Sequence, residues 1–254
     1  MPKLPITYDW PYVEKHISSG AKALIVLLCL SKTSSYQVGK FLEKCHVLKD
    51  KQIARQYINN LRKAGLILEV GKGERGKILL KTNVKGIYGA FAEKLQLAED
   101  EKLRLTEEEK KLLIEIIERT GPYFAEGVIQ LFKKAVKPEH LKHPKTFRKK
   151  YNLDELGIFP SKFNLESYLV LPLIFSLLSV QTSPLLLIEH GILNSDQKEI
   201  LNVFKLPENE REWIKNNQAN ITRLIIKILL RTIRDLLGSA SVILIEKFMI
   251  QKRK

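Results

Sequence analysis

Residues 49–82 run from a cappable amphipathic segment, through one glycine, to two short apolar runs joined by GKGERGK. That order constrains the fold more than any other feature of the chain. Asp50 stands where it would cap a helix ending near Ala64, and Gly65 follows where a left-handed residue closes a helix. "LILEV" and "ILLKT" are strand-like runs, and the glycines between them permit a tight turn. A helix leading directly into a β-hairpin is therefore predicted.

Upstream, residues 21–30 are apolar enough for a buried helix. Ser34 or Ser35 is placed to cap a second helix, in which Val38, Phe41, Leu42 and Cys45 recur at helical spacing, with HVLK as the turn before the third. Three helices and a hairpin are the element order of a winged helix. Beyond Lys85 the pattern changes, and from Pro122 onward it is helical with few convincing strands. Thr106 and Glu109 form a capping-box pair ahead of Leu112, Leu113, Ile116 and Ile117, and Gly121-Pro122 reads as a stop. The expected fold is mainly α: an N-terminal winged helix of three helices plus a β-hairpin wing, then an all-α helical domain. The expected organisation is an N-terminal arm and winged helix-turn-helix domain over 1–97, a connecting helix over 98–120, and a helical dimerisation or ligand-sensing domain over 121–254. The stretch HPKTFRKKYNLDELGIFPSK reads as an ordered loop.

Charge narrows the partners. The chain carries a formal net charge of +15, of which residues 1–97 hold +10 and the remaining residues +5. A basic N-terminal third favours a polyanion, nucleic acid or an anionic membrane. On a helical wheel of about 100° per residue, Ile53, Ala54, Tyr57, Ile58 and Leu61 gather on one side of the third helix. The opposite side is centred on Gln52 and Asn59, flanked by Arg55, Gln56 and Lys63, with Lys51 and Arg62 at its margins. Arginine can pair with guanine, and glutamine or asparagine with adenine, in a major groove. No carboxylate follows Asp50 on this face, whereas a merely solvated helix usually mixes Glu with Lys. At the hairpin tip Lys72, Arg75 and Lys77 lie among Gly71, Gly73 and Gly76, which let a backbone approach phosphates closely. These nine residues, Lys51, Gln52, Arg55, Gln56, Asn59, Lys63, Lys72, Arg75 and Lys77, are the expected DNA-binding set.

SYQVGKFLEKC, IARQYINNLRKAGLI and KILLKTNVKGI together resemble the winged helix-turn-helix domain of prokaryotic, archaeal-like transcriptional regulators. The resemblance covers residues 17–90. In that family a recognition helix ends in L-x-x-x-G-L, here Leu61 to Leu66, and the wing runs into an "LT-x-x-G"-like segment, here Leu80 to Gly86 with one extra residue. It implies sequence-directed binding of double-stranded DNA by the third helix.

Catalytic and metal chemistry find little support. Cys29 and Cys45 lack partners at zinc or disulfide spacing, His140 and His143 are bracketed by Pro138 and Pro144, and the EDEKLRLTEEE run is interleaved with cations. The sequence contains no phosphate-binding loop, nucleophile elbow or HExxH. A cofactor-free, metal-free protein that is not an enzyme is expected. Residues 168–188 are uncharged over a membrane-spanning length, but Pro172, Pro184 and the polar SVQTSP interrupt them, so two buried helices meeting near 181–183 are the preferred reading. In residues 220–250 a broad apolar face holds Leu224, Ile225, Ile228, Leu229, Ile233 and Leu236. Such a face serves as core, as subunit interface or as both, and a homodimer is expected because DNA readers of this kind work in symmetric pairs. The absence of a signal pattern places the chain in the cytoplasm, and its Lys, Glu, Ile and Leu content is thermophile-like. These features lead to a transcriptional regulator. A DNA-binding protein of replication, partition or chromatin architecture is the alternative, with a nucleic-acid enzyme or membrane-tethered regulator behind both.

Overall fold

A computed structural model describes residues 8–45, 47–97, 101–135, 165–181 and 206–237. The described chain is mainly helical, with one small antiparallel sheet. A short helix α1 (Trp10–His16) starts at Asp9, whose carboxylate accepts from Tyr12 N at 2.7 Å, and helix α2 (Gly20–Leu28) starts at Ser19. All residues from Ala23 to Leu28 are buried. A helix apolar over most of its circumference has to lie inside, and α2 does: it packs against the helix over Lys51–Lys63 and against two helices of the C-terminal half.

A two-residue strand β1 (Thr33–Ser34) leads into α3 (Ser35–Lys44), where Ser34 and Gln37 form a reciprocal capping box. Helix α4 (Lys51–Lys63) begins at Asp50, whose carboxylate accepts from Gln52 N at 2.6 Å and Ile53 N at 3.0 Å. Gly65 closes it at φ 74°. Strands β2 (Ile67–Lys72) and β3 (Ile78–Thr82) form the expected hairpin, and β1 pairs with β3 to give the order β1-β3-β2.

Helix α5 (Val84–Gln96) follows directly. Asn83 at its start ties three elements together: its N–H donates to Leu66 O at 2.9 Å, its Nδ2 to Gly65 O at 3.2 Å, and its Oδ1 accepts from Gly86 N at 3.0 Å. A Cβ on Gly86 would stand 2.6 Å from Asn83 Nδ2 and 2.7 Å from the Tyr8 ring, so this crossing excludes any side chain. Thr82 joins the sheet to α2 through Oγ1, which donates to Val26 O at 2.5 Å.

The C-terminal half departs from the expected organisation. Helix α6 (Glu107–Ala135) starts at the Thr106–Glu109 capping box but runs straight through Gly121-Pro122. Packing outweighs the local stop signal. Gly121 lets α6 approach Leu30, which would stand 3.3 Å from a Cβ there, and Phe124 and Ala125 beyond the proline are buried. The boundary expected after residue 120 thus falls within one helix. Helix α7 (Leu165–Gln181) accords with the first of the two buried helices expected to meet near 181–183 and accommodates Pro172, with Ser176 Oγ donating to Pro172 O at 2.8 Å and hydrogen-bonded to Thr120 Oγ1 of α6. Helices α8 (Glu208–Asn216) and α9 (Gln218–Leu237) complete the described structure. One hydrophobic cluster runs from Tyr8 to Ile228, so the two halves share a core. Among the described residues no helix is long and apolar enough to cross a membrane. The HPKTFRKK segment, His140, His143 and the last third of the uncharged stretch, 182–188, lie outside the described residues.

Candidate nucleic-acid interface

Helix α4 sits with one side fixed and the other free. Ala54, Ile58 and Leu61 are buried and Ile53 and Tyr57 half-buried, as the wheel predicts. Helix α3 packs across it at Gly39, where a Cβ would stand 3.5 Å from Lys51 Cβ and 3.7 Å from Ala54 Cβ. At the far end Tyr12 donates its hydroxyl to Ala64 O at 3.0 Å, and Tyr12 in turn stacks on Tyr8 with ring centroids 5.0 Å apart. Lys22 of α2 lies over the Tyr57 ring at 5.5 Å. A helix held at its cap, its flank and its last carbonyl presents its outer side chains from a rigid base.

Those outer side chains are Lys51, Gln52, Arg55, Gln56, Asn59 and Lys63, and every one of them is exposed. Lys51, Arg55 and Lys63 make no ion pair among the described residues. Arg62, at the margin of the face, behaves differently. It pairs with Glu69 of β2 and donates through Nη1 to Asn59 Oδ1 at 3.2 Å. That bond occupies the Asn59 acceptor and leaves its Nδ2 donors as the group on offer. Arg62 is thereby withdrawn from the face it borders.

The hairpin projects beside this face. A bulge between Glu69 and Gly71 bends β2, Gly71 has φ 139°, and a single 3-10 turn over Glu74–Gly76 closes the tip with Gly76 at φ 70°. Gly73 N donates to Lys77 O at 2.7 Å across the turn. Lys72 and Lys77 are exposed, while Arg75 has its backbone in the tip and its side chain outside the described residues.

Tyr36 was not among the expected site residues, yet it joins the two parts. Its ring is 43% exposed and receives Lys77 of the hairpin at 4.9 Å and Lys40 of α3 at 5.9 Å from its centroid. Pairing of β1 with β3 brings the start of α3 to the hairpin, and a two-residue strand leaves no periodicity from which that neighbourhood could be read.

The thiols are inert by burial, which pushes both Cys29 and Cys45 up to about 12. His16 is held below its ordinary value, first by burial and then by the Lys15 and Lys22 charges. His46, beside Cys45, lies outside the described residues. Among the described residues no three His, Cys, Asp or Glu side chains gather as a metal site would need.

The expected dimer face needs correction. Leu224 and Ile228 are fully buried and Ile225 is 2% exposed, all within the core of a single chain, while Leu229 is half-buried against that core. Helix α9 packs on α7 and α6, and polar ties reinforce the contact. Lys227 pairs with Glu109 at 2.7 Å, and Arg231 donates to Leu95 O at 3.3 Å. The stripe is wide because two helices of its own chain cover it. The side chains of Ile233 and Leu236 lie outside the described residues. The chain matches no family model, no curated protein and no solved structure.

Proposed function

We propose that this chain is a DNA-binding transcriptional regulator of winged helix form, in which α4 enters the major groove and the β2–β3 hairpin grips the adjacent backbone or minor groove. The observation that carries the reading is the α4 face itself: six exposed polar side chains, none of them a carboxylate, with Lys51, Arg55 and Lys63 making no ion pair among the described residues, beside the exposed Lys72 and Lys77. Cations deeper in the molecule are spent internally, Lys110 on Glu93 and Arg119 on Glu210. Desolvated phosphates would give the α4 and hairpin cations the partners the chain withholds. Gln52, Gln56 and the Asn59 amide add the hydrogen-bonding range that base edges require. Two copies acting together on inverted half-sites remain part of this proposal, through a surface other than the buried side of α9.

Selection of bound sequences from random duplex DNA tests the proposal, followed by affinity measurements on the enriched site. Arg55→Ala and Gln56→Ala should each cost about 1–3 kcal/mol on the enriched site and much less on random DNA. Lys72→Ala and Lys77→Ala should weaken both DNAs alike. Enrichment of no sequence, with equal losses from all four variants, removes base reading and leaves an architectural DNA binder.

A further inference from the structure

Between α3 and the middle of α6 lies a cavity of about 550 Å3, a volume in the range of small-molecule sites. Its floor is buried and mostly apolar, built from Leu28, Val38 and Cys45 with Ser31 and Thr33 beside them, and the Ser31 hydroxyl already donates to Leu28 O. Half-buried Phe41 and Ile129 line it from the two helices. The rim is exposed and one-sided in charge: Lys32, Lys40 and Lys44 stand there against the carboxylate of Glu126. A molecule with an apolar body and one acidic end suits both parts, since the body loses water on the floor while the charge keeps hydrated ammonium partners at the mouth. A neutral apolar compound would gain nothing from the three lysines, and a hydrophilic polyanion nothing from the floor. Burial keeps the Cys45 thiol protonated at neutral pH, so such a molecule is held without covalent attachment.

We propose that this cavity binds a small amphipathic carboxylate, with Lys32, Lys40 and Lys44 receiving the acid over the apolar floor. The site also has a route to α4. Lys40 lines the cavity and stands 5.9 Å from the Tyr36 ring centroid, the same ring that Lys77 of the hairpin approaches at 4.9 Å. Gln37, another cavity residue, closes the capping box that starts α3, and α3 packs on α4 at Gly39. A carboxylate held at Lys40 neutralises one of the two cations gathered at Tyr36 beside the hairpin and lowers the positive field that this side offers to phosphates. Occupancy of the cavity and binding of DNA then oppose each other, by the same factor in both directions. This coupling, unlike the site, rests on the DNA-binding reading.

The site is tested on the full chain without DNA, by calorimetric titration with 2-naphthoate and with its uncharged counterpart 2-naphthylmethanol. One saturable site is expected for the acid, with the alcohol weaker by about tenfold or more. Lys32→Gln combined with Lys44→Gln should cost about tenfold in naphthoate affinity, and Ile129→Trp, which fills the cavity, should abolish binding. Lys111→Gln, at an exposed position of α6 away from the cavity, should change nothing. The lysine positions are exposed, so the double variant keeps the test decisive if Ile129→Trp fails to fold. Failure of naphthoate to saturate one site below about 10 mM, or equal binding of acid and alcohol, overturns the site. A second titration measures affinity for a labelled mixed-sequence duplex at low salt, with and without saturating naphthoate. DNA binding about threefold weaker or more in its presence is expected. Unchanged DNA affinity overturns the coupling and leaves the site standing, whereas no DNA binding in either condition overturns the functional reading while calorimetry still decides the site.

Discussion

The dependence of DNA affinity on salt follows from counting cations that the fold leaves available. On α4 these are Lys51, Arg55 and Lys63 and on the hairpin Lys72 and Lys77, to which the sequence adds Arg75 at the tip. Arg62 is left out because Glu69 already neutralises it. If all six displace counterions from phosphates, log K should fall against log salt with a slope near −5, since each contact contributes about −0.9. Raising salt from about 50 to about 200 mM should then weaken binding by roughly a thousandfold. The ion pair makes this count testable in both directions. Glu69→Gln releases Arg62 at the margin of the face and should steepen the slope by about one contact, whereas Lys72→Gln and Lys77→Gln should each make it shallower by a similar amount. Fluorescence anisotropy on one labelled duplex across a salt series measures all four proteins. A wild-type slope shallower than about −2, or a Glu69→Gln slope no steeper than wild type, would refute the reasoning.

Other expectations follow from the same contacts. Ile225→Glu places a charge in a core position 2% exposed and should cost about 3 kcal/mol or more in urea unfolding, independent of protein concentration; a stable, folded variant of reduced oligomeric mass would instead restore Ile225 to an interface. Asp50→Ala removes the acceptor for Gln52 N and Ile53 N and should cost about 1 kcal/mol, with DNA affinity falling in step as the first turn of α4 frays. Gly76→Ala forces a side chain to φ 70° and should cost about 1–2 kcal/mol, visible in thermal melts, or no more than a few tenths if the tip relaxes to another turn. Both cysteine thiols, pushed up to about 12, should resist Ellman's reagent at pH 8 in the folded protein and react at once in guanidinium; fast labelling of native protein would show that Cys45 is open to solvent.

What was legible in the sequence was local chemistry. Ser34, Asp50, Gly65 and the Thr106–Glu109 pair announce helix ends through bonds made within four residues, and the structure contains each of those bonds or conformations. The hairpin was readable for the same reason, because Gly71 and Gly76 occupy positive φ. Helix α1, strand β1 and helix α5 were not readable. β1 is two residues long, and α5 is buried on most of its circumference, with Tyr88 and Phe91 fully enclosed, so it lacks the polar side that would disclose a helical period. Asn83 acquires its meaning only in three dimensions, where it caps α5 while holding Gly65 and Leu66.

The failures in the C-terminal half share a different cause. Gly121-Pro122 is a stop signal for an isolated helix, but like Pro172 of α7 it costs only one backbone bond and some steric strain. Burial on both sides of the residue outweighs that cost. Phe124 and Ala125 of α6 and Leu173 of α7 enter the shared core, and Gly121 brings α6 against Leu30. Periodicity has the corresponding blind spot: it tells which side of a helix is covered and never by what. On α9 an apolar side suggested a second subunit, and the chain itself supplied the cover through α6 and α7. On α4 the same logic applies to the polar side. Among the described residues its amides and cations border one ion pair, Arg62 with Glu69, while Lys51, Arg55 and Lys63 are exposed and make none. The basic side of α4 is anchored through Asp50, Tyr12 and Tyr57, so its backbone is ordered in advance and a polyanion of the proposed kind would have only the exposed side chains left to order.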